Sequence, residues 1–154
     1  YERSRVLVNR GHGRFDDAAA AVGADDLLDG RSIALADFER RGALDVAIAN
    51  QAGRLLLYRN EVEPGRHWIE FELVGTRSNA QAIGTQVTLY FGGRRQVQSV
   101  LAGSGFCSQN DLRLHFGTGR DTPEKAVIRW ASGLEQTVLA PRIDAVNRIE
   151  EPRG

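Results

Sequence analysis

The first part of the chain is organised around residues 32–50, which read SIALADFERRGALDVAIAN. Two short apolar runs, IALA and VAIA, flank a nine-residue loop that begins at Asp37 and ends at Asp45. Gly42 lies near the end of this loop, where a sharp turn requires positive φ. The pattern predicts two paired strands joined by a loop of the kind that binds a cation. We call residues 37–45 the aspartate loop.

The aspartate loop carries acidic side chains at alternate positions, as calcium loops do. Asp37, Glu39 and Asp45 place carboxylates at positions one, three and nine, but Arg41 stands at position five. A guanidinium has five donors and no acceptor, so it cannot coordinate Ca²⁺, and its fixed charge repels the ion. We therefore interpret the residues as a degenerate calcium loop without an ion. Arg41 is expected to occupy the position of the ion and to pair with Asp37 and Asp45.

Length, composition and charge exclude several classes of protein. The chain has 154 residues, 42% hydrophobic and 26% charged, with a formal net charge of zero, which is typical of a globular protein. Without a basic surface we expect no nucleic-acid partner. No apolar run approaches the roughly 20 residues that cross a bilayer, so we expect no membrane insertion. The chain begins at Tyr1 and contains no methionine, which indicates a processed or excised piece.

Cysteine and histidine do not form a recognisable site in this sequence. Cys107 is the single cysteine, so no internal disulfide can form, and we expect a small buried side chain there. His12, His67 and His115 lack the spacing of metal ligands.

The serine and glutamate patterns are equally weak as catalytic signals. The run GSG around Ser104 lacks the spacing of a nucleophile elbow. Glu70 and Glu72 share one face of a predicted strand, which we expect to be solvated. The sequence therefore predicts no catalytic residue and a protein that is not an enzyme.

The first 60 residues carry apolar runs typical of four short strands. Besides the two around the aspartate loop, we expect strands at residues 5–8 and 55–58, and all four in one sheet. The acidic cluster of Asp25, Asp26 and Asp29 is interpreted as a solvated turn, with help in holding a cation as the alternative.

The aspartate loop and the strand after it resemble the FG-GAP or VCBS repeat, the blade unit of integrin-type β-propellers. Residues 7–15 look like the end of one repeat, and residues 56–60 like the start of the same phrase again. The resemblance implies that residues 1–60 form one propeller-type blade. A single blade cannot bury its apolar faces alone. It needs a cover from the rest of the chain, from a second copy or from a missing part of a longer parent.

Residues 61–66 form a polar connector, and beyond them a period-two alternation begins. Ile69, Phe71 and Leu73 are predicted to point to one side of the first strand. Turn signals such as Gly92-Gly93 separate seven short strands, which predict an antiparallel β-sandwich over residues 67–151. The two tryptophans are expected in packing positions. The predicted strands are residues 68–73, 86–91, 94–101, 112–116, 126–130, 135–139 and 146–150.

Five ordered motifs in this second half resemble the ASPIC/UnbV domain. They read WIEFELVGTRSN from residue 68, AIGTQV from 82, GSGFCSQND from 103, LHFG from 114 and IRWASG from 128. The resemblance implies a transthyretin-like sandwich beside a propeller, in a protein that is secreted or displayed at the cell surface. It also implies a non-catalytic role in the extracellular matrix, adhesion or binding.

The expected partners are a protein or glycan at the cell surface, or copies of the chain itself. Edge strands and an incomplete blade favour completion by a neighbouring copy, which predicts a homo-oligomer or fibre. No cofactor is expected apart from the disfavoured Ca²⁺. The alternative function is an accessory or enzymatic role in a secondary-metabolite pathway of the enediyne type, which the UnbV name alone suggests.

Overall fold

The computed structural model of the protein describes residues 3–153, and these residues form twelve strands and no helix. The expectation of an all-β fold is therefore confirmed. The strands are β1 (Leu7–Gly11), β2 (Arg14–Asp17), β3 (Gly30–Ala36), β4 (Asp45–Asn50), β5 (Leu56–Tyr58), β6 (His67–Val74), β7 (Gln86–Phe91), β8 (Arg94–Ser99), β9 (Leu114–Gly119), β10 (Pro123–Arg129), β11 (Glu135–Leu139) and β12 (Ala145–Glu150).

The second half is a sandwich of a four-stranded sheet, ordered β11-β10-β7-β8, and a three-stranded sheet, ordered β12-β6-β9. Its seven strands lie close to the seven that the alternation predicts. Phe71 of β6 and Phe116 of β9 meet edge to face with ring centroids 5.8 Å apart. The core of the sandwich comprises Ile69, Phe71, Leu73, Ala82, Val87, Leu89, Phe91, Val100, Leu114, Phe116, Ala126, Ile128 and Trp130.

One strand pair departs from the expected antiparallel arrangement. β12 runs parallel to β6, with Ala145 opposite Ile69 and Glu150 opposite Val74. β11 lies in the four-stranded sheet and β12 in the three-stranded sheet, so the chain changes layers between them. A hairpin would have returned the chain antiparallel in the same sheet, whereas a change of layer permits a parallel pair.

The first half does not form the four-stranded sheet that its apolar runs predict. β1 pairs with β2 alone, with Leu7 opposite Asp17, and this hairpin is a sheet of its own. Gly11, His12 and Gly13 have φ values of 82°, 51° and 74°. Three consecutive residues with positive φ turn the chain back at once, so β1 finds its partner in the residues that follow directly.

The remaining strands of the first half form a three-stranded sheet, ordered β3-β4-β5. Both of its faces are apolar, but one carries larger side chains than the other. Side chains alternate along each strand, so the register separates them into two sets. Within residues 3–66 the buried hydrophobic side chains are all alanines. The larger side chains on one face are Ile33, Leu35, Val46, Ile48, Leu56 and Tyr58. The other face carries Ala34, Ala36, Ala47, Ala49 and Leu57.

Candidate functional site

The aspartate loop joins β3 to β4, and its first aspartate organises the turn. Asp37 is buried, with 2% of its surface exposed. Its Oδ1 accepts the backbone N–H of Arg41 at 2.9 Å, and its Oδ2 accepts that of Gly42 at 2.5 Å. The carboxylate therefore satisfies two backbone donors that a tight loop would otherwise leave unpaired.

Arg41 lies among the acidic side chains, and its guanidinium binds one of the two partners that the sequence predicts. Its Nη2 donates to Asp45 Oδ1 at 2.9 Å, its Nη1 donates to the Asn60 carbonyl at 3.1 Å, and its Nε lies 2.7 Å from Glu39 Oε2. The expected pair with Asp45 is present. The expected pair with the Asp37 carboxylate is not formed by the guanidinium, because the backbone amides already bind that carboxylate.

These residues do not fit a calcium ion. A calcium site needs six to eight oxygen ligands turned toward the ion, but here Asp37 and Asp45 accept hydrogen bonds and a permanent cation lies beside Asp45 and Glu39. Within residues 3–153 no group of three His, Cys, Asp or Glu side chains is arranged to hold a metal.

The acidic cluster of the first half is engaged in local contacts. Asp26 Oδ1 accepts the N–H of Leu28 at 2.8 Å, and its Oδ2 accepts the Tyr58 hydroxyl at 3.1 Å. The Leu28 amide is the largest of the contacts that lower the pKa of Asp26. Asp25 and Asp29 pair with arginines at 3.1 and 2.7 Å. The cluster therefore anchors the chain segment before β3 to β5.

The two halves meet where the aspartate loop contacts β6. Trp68 packs so closely on Gly42 that a Cβ at that glycine would lie 2.0 Å from the indole Cδ1. The indole of Trp68 also lies against His115, whose ring is nearly parallel to it at a centroid distance of 6.1 Å. Trp68 thus has a packing position, as expected of the tryptophans, and that position lies between the halves.

Glu70 corrects the expectation of a solvated strand face. It is 2% exposed, and its Oε2 lies 3.0 Å from Arg113 Nη1. Arg113 also donates from Nη2 and Nε to Asp111 Oδ2. His115 Nδ1 is 3.6 Å from Glu70 Oε1, beyond hydrogen-bond distance. Glu70 is buried because residues of β9 and of the preceding loop cover its side of β6, whereas Glu72 two residues later stays exposed.

The loop of residues 101–111 extends from the sandwich to the edge of β3. Asn110 Oδ1 accepts the Leu35 N–H at 2.9 Å, and the Asp111 N–H donates to the Leu35 carbonyl at 3.0 Å. Ser104 Oγ accepts the N–H of Asn110 at 2.9 Å, so the hydroxyl serves the loop itself. We call residues 101–111 the clasp loop, because they pair part of an otherwise open edge strand.

Cys107 is exposed, which corrects the expectation of a buried side chain. It lies at the tip of the clasp loop with a φ of 50°. The neighbouring Phe106 is 71% exposed. The tip lies at the surface, so no core surrounds the Cys107 side chain.

A groove of about 740 Å³ opens over the larger-residue face of the β3-β4-β5 sheet. The chain segment before β3 forms its second wall, which the Tyr58–Asp26 hydrogen bond ties to the sheet. The groove was not predicted from the sequence. One of its walls consists of a few apolar residues that lie outside any strand, and these do not form a recognisable pattern. The aliphatic lining consists of Val6, Val22, Ala24, Leu28, Ile33, Leu44, Val46 and Ile48.

The rim of the groove is charged but internally neutralised. Arg3, Arg5 and Arg59 on the rim lie 3.1, 3.7 and 3.4 Å from carboxylates of Asp25, Asp17 and Glu39. Because each guanidinium already has a carboxylate partner, the rim offers no unpaired charge to an ionic ligand. Ile33 on the groove floor is 53% exposed.

Another buried carboxylate, that of Glu151, was not predicted from the sequence. Glu151, just after β12, accepts the N–H groups of Thr76, Arg77 and Ser78 on Oε2 at 3.0, 2.8 and 2.7 Å. Burial alone would raise the pKa of Glu151, but these bonds and the Ser132 hydroxyl outweigh it and lower the pKa to about 2. Nothing in the local sequence distinguishes Glu151 from the exposed Glu150 beside it.

Comparison with known proteins identifies the second half. The model of the ASPIC and UnbV family matches residues 75–154, just over half of the chain. Cartilage acidic protein 1 of Homo sapiens is 51% identical over 51 residues, and that of Xenopus tropicalis is 46% identical over 58 residues. The matched stretches are 32% and 36% of this chain but 8% and 9% of those proteins. The described residues include no helix long and apolar enough to span a membrane.

Proposed function

The chain belongs to the ASPIC and UnbV family, and on that premise we propose that it is a non-catalytic extracellular module that works by contact with another polypeptide. The family match covers six of the seven strands of the sandwich, β7 to β12, and the relatives named for cartilage favour a place outside the cell. We further propose that residues 1–60 derive from an FG-GAP or VCBS repeat. The aspartate loop between two paired strands supports that origin.

The observation that carries the proposed contact is the groove over the β3-β4-β5 sheet. Its aliphatic floor suits an apolar polypeptide better than a glycan, because sugar rings are generally held by aromatic stacking and directed polar groups. Tyr58 is the aromatic residue on its lining, and its hydroxyl is already bonded to Asp26. Because the net charge is zero, copies of the chain do not repel each other at long range. We therefore take a second copy of the chain as the occupant.

The proposal of a non-catalytic module is supported by how the candidate groups are used. Ser104 Oγ accepts a backbone N–H within the clasp loop, and His115 stacks on Trp68. The buried Glu70 pairs with Arg113. No nucleophile, base and orienting carboxylate converge among these residues, and such convergence is what acyl transfer or hydrolysis requires. The alternative role in enediyne-type metabolism gains no support from this arrangement.

The test is the native mass of the chain by light scattering, with calcium and then with chelator. We expect a mass above the monomer value of 16.9 kDa that does not depend on calcium. Ile33→Asp should return the protein to a monomer, because it places a charge on the groove floor. Val97→Asp is the matched control, since Val97 on β8 is 49% exposed but remote from the groove. A wild-type monomer at high concentration contradicts self-association.

A further inference from the structure

The aspartate loop buries two carboxylates, and contacts with other groups balance their negative charge. Asp37 and Asp45 are both 2% exposed. Burying a carboxylate without a positive partner is unfavourable, so two buried aspartates in one short loop need compensation. In loops of this pattern a divalent cation normally supplies it.

We propose that Arg41 is a built-in cation: its guanidinium takes the position and the charge of a metal ion, and makes the loop independent of calcium. The guanidinium contacts the kinds of atom that a calcium ion would bind. These are one carboxylate oxygen each from Asp45 and Glu39, at 2.9 and 2.7 Å, and the carbonyl oxygen of Asn60 at 3.1 Å.

The arrangement also holds the start of the connector. Asp45 Oδ1 accepts the N–H of Asn60 at 2.8 Å while it binds Arg41. Both backbone polar groups of Asn60 are therefore fixed by the loop, one by the carboxylate and one by the guanidinium. Asp45 and Arg41 together link the loop to Asn60, two residues after β5, a task that a calcium ion would perform through its coordination shell.

A second arginine reinforces the charge balance from the other half of the molecule. Hydrogen bonding to Asp111 is the main cause that raises the pKa of Arg113, and the charges of Glu70 and Asp37 add to it. Arg113 thus lies within electrostatic range of Asp37. Asp45 pairs directly with Arg41, whereas Asp37 is held by two backbone amides and by the weaker electrostatic effect of Arg113.

The loop joins β3 and β4, which form the floor of the groove. If the loop needed calcium, the groove would change with the calcium concentration outside the cell. With Arg41 in place the spacing of the two strands is fixed, and the groove keeps its shape in the presence or absence of calcium. This inference concerns the loop and stands whether or not the groove binds a second copy.

The test compares the melting temperature of the wild type and of Arg41→Asp in millimolar calcium and in chelator. The wild type should melt at the same temperature in both. Arg41→Asp should melt roughly 10 °C lower in chelator, because it removes a partner of a buried charge and adds a carboxylate. Calcium, but not magnesium, should restore at least half of that loss.

Two further variants separate charge from position. Arg40→Asp makes the same change of charge one residue earlier, on an exposed side chain, and should respond to neither calcium nor chelator. Arg41→Lys keeps a positive charge without the planar fork, so its melting temperature should fall less than that of Arg41→Asp and ignore calcium.

Three results would overturn the inference. One is a wild-type melting temperature that rises in calcium, which would show that the ion displaces Arg41. Another is an Arg41→Asp protein as stable as the wild type in chelator. The third is an Arg41→Asp protein that calcium does not stabilise, or that does not refold in calcium if it is unfolded without it. Calorimetric titration of calcium into both proteins gives a readout that does not depend on melting.

Discussion

Residues 67–151 and residues 3–66 are both built of short strands, yet they bury different things. The sandwich encloses thirteen hydrophobic side chains in one cluster between its two sheets. In residues 3–66 the buried hydrophobic side chains are Ala19, Ala24 and Ala43, while Asp37 and Asp45 are buried as charges. The sandwich is thus stabilised mainly by apolar burial. The first half is held by turns, ion pairs and contacts with the sandwich.

This difference predicts where the chain is vulnerable. Truncating an apolar side chain should matter in the sandwich and hardly at all in the first half. Changes at the contacts between the halves should have intermediate effects, because those contacts substitute for a core. The following variants test that order.

The largest expected effect comes from the same substitution made once in each half. Leu89 is fully buried on β7 and Leu57 is 61% exposed on β5. Leu89→Ala should lower the free energy of unfolding by about 3 kcal/mol, because it removes apolar contacts and leaves a cavity. Leu57→Ala should cost less than about 0.5 kcal/mol. Urea unfolding followed by circular dichroism measures both. Equal losses would show that the face of the β3-β4-β5 sheet that carries Leu57, opposite the groove, is covered in solution.

The contrast between the halves also explains which parts of the fold could be predicted from the sequence. The strands of the sandwich were predictable because their side chains alternate between core and solvent, as Phe71, Glu72 and Leu73 do on β6. Gly92 and Gly93 marked the hairpin between β7 and β8 for a local reason, their positive φ. The parallel course of β12 could not be predicted, since it depends on a change of layer.

The sites were less predictable because they depend on contacts between distant residues. Arg41 was recognisable as a misfit within one loop, and its pair with Asp45 followed from charge. The burial of Glu70 depends on Arg113, which follows the clasp loop and is distant from Glu70 in the sequence. The Glu151 carboxylate is held by backbone amides of residues 76–78. The positions of backbone amides cannot be read from the identities of the residues. The groove forms only where the chain segment before β3 meets the β3-β4-β5 sheet, so it could not be predicted for the same reason.

The junction between the halves is tested by Gly42→Ala. A Cβ there would lie 2.0 Å from Trp68, and the φ of Gly42 is 80°. We expect a loss of about 2 kcal/mol, roughly half from the positive φ and half from displacement of the indole. Gly65→Ala is the matched control, because its φ is 77° with no atom within 4 Å, and it should cost only about 1 kcal/mol. Similar losses for both variants would mean that Trp68 does not join the halves tightly.

Glu151 gives the sandwich a dependence on pH. Its pKa is about 2 in the folded chain against an ordinary 4.5. A lowered folded pKa contributes stability that is present above pH 4.5 and is lost as the pH falls toward 2. The difference in unfolding free energy between wild type and Glu151→Gln should therefore be constant above about pH 5 and shrink by up to about 3 kcal/mol by pH 2.

The control for this prediction is Glu150→Gln. The side chain of Glu150 is largely exposed, and its Oε1 lies 3.6 Å from Arg148. Its effect on unfolding should be small at every pH. Urea midpoints at several pH values measure all three proteins. A wild type and a Glu151→Gln variant whose curves stay parallel down to pH 2 would show that the carboxylate is not held by the amides of residues 76–78.

The smallest effect should come from the clasp loop, and it is the one that reports most directly on how the first half depends on the sandwich. Asn110→Ala removes the acceptor of the Leu35 N–H at the edge of β3, which should cost about 1 kcal/mol. The Leu35 amide should then exchange with solvent about fivefold faster, with little change at amides in the core of the sandwich. Asn9→Ala removes a similar bond, to the Gly11 N–H at 2.8 Å, but within one exposed hairpin, and should leave Leu35 unchanged. If Leu35 exchanges equally fast in the wild type and in Asn110→Ala, the edge of β3 is open in solution and the first half is stabilised from elsewhere.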